Sequence, residues 1–236
     1  MVSSKKKIAE GINAAMSSVI DDIKFDQKPS QKQRDKMKMD TPLVTIDWRN
    51  MLPEPPKNSS EVTKKELLYV AEQADNLSPE EKNRVLDVDD SPEAPFIEYC
   101  KKYDLIYPKK KIATAYEESL RPVILKLKWK YQRPRPYQLA PEYGIKLSVI
   151  TTDTHQTPAY PSGHTAYASM VAAMLSEIHP LHAYKFYEMA LEVGNMRVQQ
   201  GVHFPSDNSA GMLLGTAIWE NIKYDILPSR GSIELE

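Results

Sequence analysis

From residue 61 onward, apolar positions recur at helical spacing and nowhere alternate for long enough to mark a strand. In Glu61–Asn76 they fall at 62, 67, 68, 70, 71 and 74. Ser78-Pro79-Glu80-Glu81 has capping-box spacing with proline at the first helical position, and Ser91-Pro92-Glu93 is expected to open the next helix in the same way. Lys110–Tyr131 reads as one long helix, stopped by Pro134 and Pro136. Ser162–Ile178 starts at Ser-Gly and ends before Pro180, and Leu181–Gln199 and Asp207–Tyr224 complete the set. The pattern predicts an all-α fold, a bundle of six to eight helices spanning residues 61–228. Small residues at Ala166, Ala168, Ala172, Ala173, Ala210, Gly211 and Gly215 predict that the helices carrying them pack closely.

Residues 1–60 read differently. An amphipathic stretch near Ile8–Ile23 predicts a short helix, and the Pro53, Pro55, Pro56 cluster predicts an extended linker. The first forty residues are rich in lysine and arginine (Lys5, Lys6, Lys7, Lys32, Arg34, Lys36, Lys38), as expected of a solvated arm or of one that docks on an acidic partner. Residues 229–236 are read as a C-terminal tail. The net charge is −1, without the basic surplus of a nucleic-acid binder. Cys100 is the single cysteine, so an intrachain disulfide is excluded. No signal peptide with a continuous apolar region is visible. The most apolar stretch, Ala166–Leu175, is far shorter than the roughly 20 residues of a membrane span. The expectation is a soluble protein without a membrane span, in the cytoplasm or in a compartment the sequence does not name.

Three segments carry chemistry. They are Lys128-Trp-Lys-Tyr-Gln-Arg133-Pro-Arg135-Pro136, Tyr160-Pro-Ser162-Gly163-His164-Thr165, and Arg197-Val-Gln-Gln-Gly-Val-His203-Phe-Pro-Ser-Asp207. Lys128, Arg135 and Arg197 supply three cations, and the planar arginine fork matches two phosphate oxygens at once. Ser162 and Gly163 stand at an expected helix start, where free N–H groups and the positive dipole end favour an anion. His203 lies four residues before Asp207. A carboxylate there would hold one imidazole nitrogen and leave the other free to attack. His164 is then available to protonate a leaving oxygen.

These segments resemble the three signature motifs of the type 2 phosphatidic acid phosphatase and vanadium haloperoxidase superfamily: Lys-x6-Arg-Pro, Pro-Ser-Gly-His and Ser-Arg-x5-His-x3-Asp. The local sequence is most similar to that of the soluble bacterial class A non-specific acid phosphatases. The resemblance implies an all-α, metal-independent phosphomonoesterase. In it His203 forms a phosphohistidine, Asp207 orients it, His164 is the general acid, and Lys128, Arg135, Ser162, Gly163 and Arg197 bind phosphate. It also implies a small phosphorylated substrate, no cofactor, and inhibition by vanadate. The chain departs from the third motif at Met196, where the family usually has serine. Lys126 with Arg133-Pro134 satisfies the same first spacing, but the register of Lys128 and Arg135 puts Tyr131 where the class A pattern has tyrosine.

Two alternatives stand beside this reading. A vanadium-dependent haloperoxidase would use the same pocket with vanadate as cofactor. A structural or assembly protein would keep the fold and grip a partner through residues 1–60. A metal site is not expected, because His155, His164, His203 and Asp207 match no zinc spacing and three cations stand nearby. His155, His179 and His182 are expected at the surface or at helix caps, with His155 also close enough in sequence to line the pocket. A homo-oligomer is a further expectation of the resemblance.

Overall fold

In the computed structural model, residues 2–227 are described, so the tail at 229–236 and the predicted boundary at 228 lie outside them. The α-helices are α1 (Val2–Asp21), α2 (Gln31–Lys38), α3 (Glu61–Asp75), α4 (Pro79–Asp90), α5 (Ala94–Lys102), α6 (Lys109–Ala115), α7 (Arg121–Tyr131), α8 (Pro136–Leu139), α9 (Gly163–Ile178), α10 (Ala183–Gln199) and α11 (Pro205–Ile226). No strand occurs among the described residues, and the fold is all-α as the periodicity predicts. A π-helical segment, Tyr116–Leu120, joins α6 to α7, so the predicted Lys110–Tyr131 helix is one continuous rod. No described helix is long and apolar enough to cross a membrane.

The start signals act where the sequence places them. Ser78 caps α4 with a reciprocal bond from Glu81, and Ser162 caps α9 through the Thr165 N–H. Ser91 behaves otherwise. Its N–H closes α4 on the Asp87 carbonyl, and α5 begins only at Ala94. The α4 helix runs far enough to use Ser91 as its own end, so the serine is not free to open the next helix.

Helix α9 is the centre of the bundle, with α10 and α11 packed along it. Every residue from Thr165 to Leu175 is buried. Its small side chains bring the backbones together. A Cβ added at Gly215 would stand 2.0 Å from the Ala166 carbonyl oxygen, and one at Gly211 would stand 2.6 Å from that of Ser162. Behind the start of α9, Asn208 ties the three helices. It accepts from Thr165 Oγ1 (3.0 Å) and donates to the Gly194 carbonyl (2.7 Å).

Parts of the first sixty residues lie against the bundle. Trp48 and Leu52 are buried in the main core, and α2 packs on α7. Lys36 of α2 pairs with Glu117 at 2.8 Å. Tyr160 donates to the Pro53 carbonyl (2.6 Å), which holds the proline-rich stretch beside the second motif.

Candidate active site

A cavity of about 560 Å³ opens at the N-terminal end of α9. Lys128, Arg135, Gly163, His164, Arg197 and His203 all line it. Ser162 and Asp207 do not; they stand directly behind it, fully buried. The two rival registers of the first motif separate in space. Lys126 bonds to the Met39 carbonyl (2.8 Å) near the Trp48 ring, away from the cavity.

Each side chain is delivered by a break in the helical pattern. Helix α7 ends at Gln132 with a left-handed backbone (φ 51°), and Arg135 follows before Pro136 starts α8. Helix α10 ends in a turn at Gly201 (φ 80°), where a Cβ would meet the Ser148 carbonyl oxygen at 2.6 Å. Only glycine suits that turn. It returns the chain so that His203 precedes α11 by two residues. In the first turn of α9 the N–H groups of Gly163 and His164 have no partner among the described residues, as the first N–H groups of a helix lack intrahelical acceptors.

Asp207 Oδ2 accepts from His203 Nδ1 (3.1 Å) and from the Phe204 N–H (2.9 Å). Its Oδ1 accepts from Arg133 Nη1 (2.6 Å). Arg135 Nη1 donates to His203 Nε2 (2.9 Å), so Nε2 is the acceptor and Nδ1 carries the proton. Burial, then Arg135, Lys128 and Arg197, hold His203 well below its ordinary pKa, so it is neutral. Burial, then Arg135 and Lys128, bring His164 down to about 4. Its Nε2 donates to the Asp89 carbonyl oxygen (3.0 Å).

The cations are unevenly compensated. Arg197 Nη1 pairs with the Asp89 carboxylate, which also accepts from Thr154. Its Nε is buried without a partner among the described residues. Among the described residues Lys128 Nζ hydrogen-bonds only to carbonyls, those of Pro158 (2.5 Å) and Ala159 (3.3 Å), and burial lowers its pKa well below the ordinary value. Arg135 bonds to the Thr157 (2.9 Å) and Val202 (2.8 Å) carbonyls. Burial lowers Arg135 to about 10 and Arg197 to about 9, so both remain charged at neutral pH. The lining therefore holds more buried positive charge than Asp89 offsets, an arrangement that favours an incoming anion.

Sequence reading missed three contributors. Asp89 anchors Arg197 and supports His164; its signal was a carboxylate on the same face of α4 as buried Val85 and Val88. Arg133 fills the slot of the rejected register and holds Asp207 instead. Glu66, between buried Thr63 and Val70 on α3, accepts from Arg133 (3.3 Å) and from the Ser206 N–H (2.7 Å). Met196 is buried in the core and does not line the cavity. His155 is buried with its ring 5.7 Å from that of Tyr137, outside the cavity lining, in place of the expected surface or cap position. His179 ends α9, and His182, which precedes α10, bonds to Tyr99 (2.9 Å). Among the described residues no three His, Cys, Asp or Glu side chains gather as metal ligands.

An all-helical frame that gathers two histidines and three cations at one helix start defines a class of anion-binding site. Residues 119–226, from the π segment to the end of α11, match the family model of the PAP2 superfamily, which is the resemblance read from the three motifs. The chain is similar to the non-specific acid phosphatase of Salmonella typhimurium, 36% identical over 85 residues. It is likewise similar to that of Providencia stuartii, 36% identical over 92 residues. These matches cover 36% and 38% of this chain, and the chain spans only 34% and 36% of the two relatives' lengths. Among solved structures, a bacterial vanadium-dependent iodoperoxidase shares the fold with a TM-score of 0.55 at 16% identity, covering 76% of this chain and 53% of that one.

Proposed function

We propose that this chain is a metal-independent phosphomonoesterase that works through a phosphohistidine at His203. The observation that carries the reading is the His203 ring itself, with Nδ1 bound to Asp207 and Nε2 turned toward Arg135 at the cavity. In the first step the Nε2 lone pair forms a bond to phosphorus, the ester P–O bond breaks, and the leaving oxygen takes a proton from His164. In the second, water attacks phosphorus and gives its proton to His164. The N–P bond then breaks and inorganic phosphate leaves. Lys128, Arg135, Arg197 and the Gly163 N–H stabilise the phosphoryl oxygens throughout. Ser162 acts from behind by holding the first turn of α9. An added Cβ at Gly163 would meet Ile124 and Lys128 only at ordinary contact distances, so the fold itself does not require glycine there; close approach of an anion does.

His164 sits near 4 in the empty cavity, so its proton arrives with the substrate. A monoanionic ester carries one below pH about 6. A bound dianion also offsets Arg135 and Lys128 and raises His164. An acid optimum follows. The names of the similar acid phosphatases support the same reaction class.

The test is hydrolysis of p-nitrophenyl phosphate at pH 5 to 7, with and without orthovanadate, beside His203→Ala. Vanadate-sensitive turnover that vanishes in the variant supports the proposal. Near-normal turnover in His203→Ala overturns the nucleophile. Halide oxidation by the vanadate-loaded protein without ester hydrolysis overturns the phosphatase.

A further inference from the structure

Part of the cavity lining is aromatic. Tyr107, Tyr116 and Tyr167 all line it. Tyr116 and Tyr167 meet edge to face, with ring centroids 4.9 Å apart and planes at 80°. Tyr116 is the first residue of the π segment, where the Arg121 N–H reaches back five residues to the Tyr116 carbonyl. Such one-turn π insertions often mark functional positions. Glu93, also in the lining, is half-buried, and its carboxylate has no ion-pair or hydrogen-bond partner among the described residues. The lining's other basic residues are otherwise placed. Arg121 is paired with Glu117 at 2.6 Å, and Lys109 is exposed at the rim.

Tyrosine faces beside a carboxylate with no partner attract an organic cation and give no particular benefit to a neutral or anionic group. Burial above all keeps the three phenols protonated; Arg121 opposes it at Tyr116, while Glu93 pushes all three upward, which places its charge near each of them. Resting on the phosphatase reading, we propose that the preferred substrate is the phosphate monoester of a cationic amino alcohol. Its phosphate would lie in the Lys128, Arg135 and Arg197 cradle, and its ammonium group would lie among Tyr107, Tyr116, Tyr167 and Glu93. The ester is zwitterionic, and the cavity lining offers both signs, the Lys128, Arg135 and Arg197 cations and the Glu93 carboxylate near the three tyrosines.

The experiment compares kcat/KM for phosphocholine with kcat/KM for 3,3-dimethylbutyl phosphate, its neutral isostere with carbon in place of nitrogen, using the full chain. A cation among aromatic faces gives a preference of about tenfold for phosphocholine. Glu93→Gln and Tyr116→Leu each pull that ratio towards one. The ratio does not depend on how much of a variant folds. A ratio of one or below in the wild-type protein, or a ratio unmoved by both substitutions, overturns the cage. In those cases turnover of either ester leaves the phosphatase reading standing. Loss of p-nitrophenyl phosphate turnover as well would overturn both.

Discussion

Replacing Gly215 with alanine tests whether the seam between α9 and α11 sets the geometry of the cavity. The new Cβ would lie 2.0 Å from the Ala166 carbonyl oxygen and 2.9 Å from its carbonyl carbon. Both are backbone atoms inside a helix, so no side chain can turn aside. Reaching an ordinary contact near 3.4 Å requires the helices to part by more than 1 Å. Alanine favours a helix over glycine by about 1 kcal/mol. Overpacking a tight core costs about 1–3 kcal/mol or more, and here the obstacle is the backbone itself. The expected net effect is destabilisation by about 2 kcal/mol, read from urea unfolding by tryptophan fluorescence. Because α9 carries Gly163 and His164 while α11 carries Asp207, the parting also shifts the donors against the nucleophile. A displacement of about 1 Å can cost about a hundredfold in rate. Gly11→Ala is the control, since nothing lies within 4 Å of its added Cβ. Gly215→Ala with wild-type stability and turnover would refute the argument.

Asp207→Asn is expected to lower kcat by about a thousandfold or more while the protein stays folded, because the amide favours the wrong imidazole tautomer; single-turnover kinetics would check it. Arg133→Met removes a buried donor to Asp207 and to Ser206 Oγ (2.8 Å), and is expected to destabilise the fold by about 3 kcal/mol in the same urea assay. In Arg133→Met with Glu66→Gln, the combined loss should be clearly less than the sum of the single losses. Stability should also fall in acid. His164 is held near 4, below its ordinary 6.5, so the unfolded chain binds its proton first. Its contribution is complete above pH 6.5 and is lost as pH falls from 6.5 towards 4, by about 1.4 kcal/mol per pH unit. His203 shifts in the same direction. Thermal unfolding between pH 7 and 4 should steepen accordingly, flatten in His164→Gln, and be relieved by added orthophosphate.

The helices, and the motif residues that line one cavity, were legible because their signals are local. Capping serines, proline stops and motif spacings each sit within a few residues of what they specify. Asp89, Glu66 and Arg133 were not, since their partners Arg197, Ser206 and Asp207 are 74 to 140 residues away along the chain. A carboxylate on an apolar helix face was the one hint for two of them. In the first sixty residues the basic run hid α2, whose Ser30 and Gln33 form a capping box. That helix buries no residue of its own, so no apolar period announced it. The anchoring of this stretch by Trp48 and Leu52 depends on core residues supplied by later helices.

The lining of the cavity is drawn from α4 and the loop after it, the residue Tyr107 before α6, α6, the π segment, α7 and the loop after it, the stretch before α9, α9, α10 and the turn before α11. Its key members, from Asp89 to His203, therefore come together only when distant parts of the chain have docked. Local helices form early, but contacts at such long sequence separation come late in folding. Partly folded chains, or chains opened locally at α4, would carry most of the motifs and none of the cradle. Recovery of turnover during refolding should therefore lag behind recovery of helicity, making activity a reporter of completed topology.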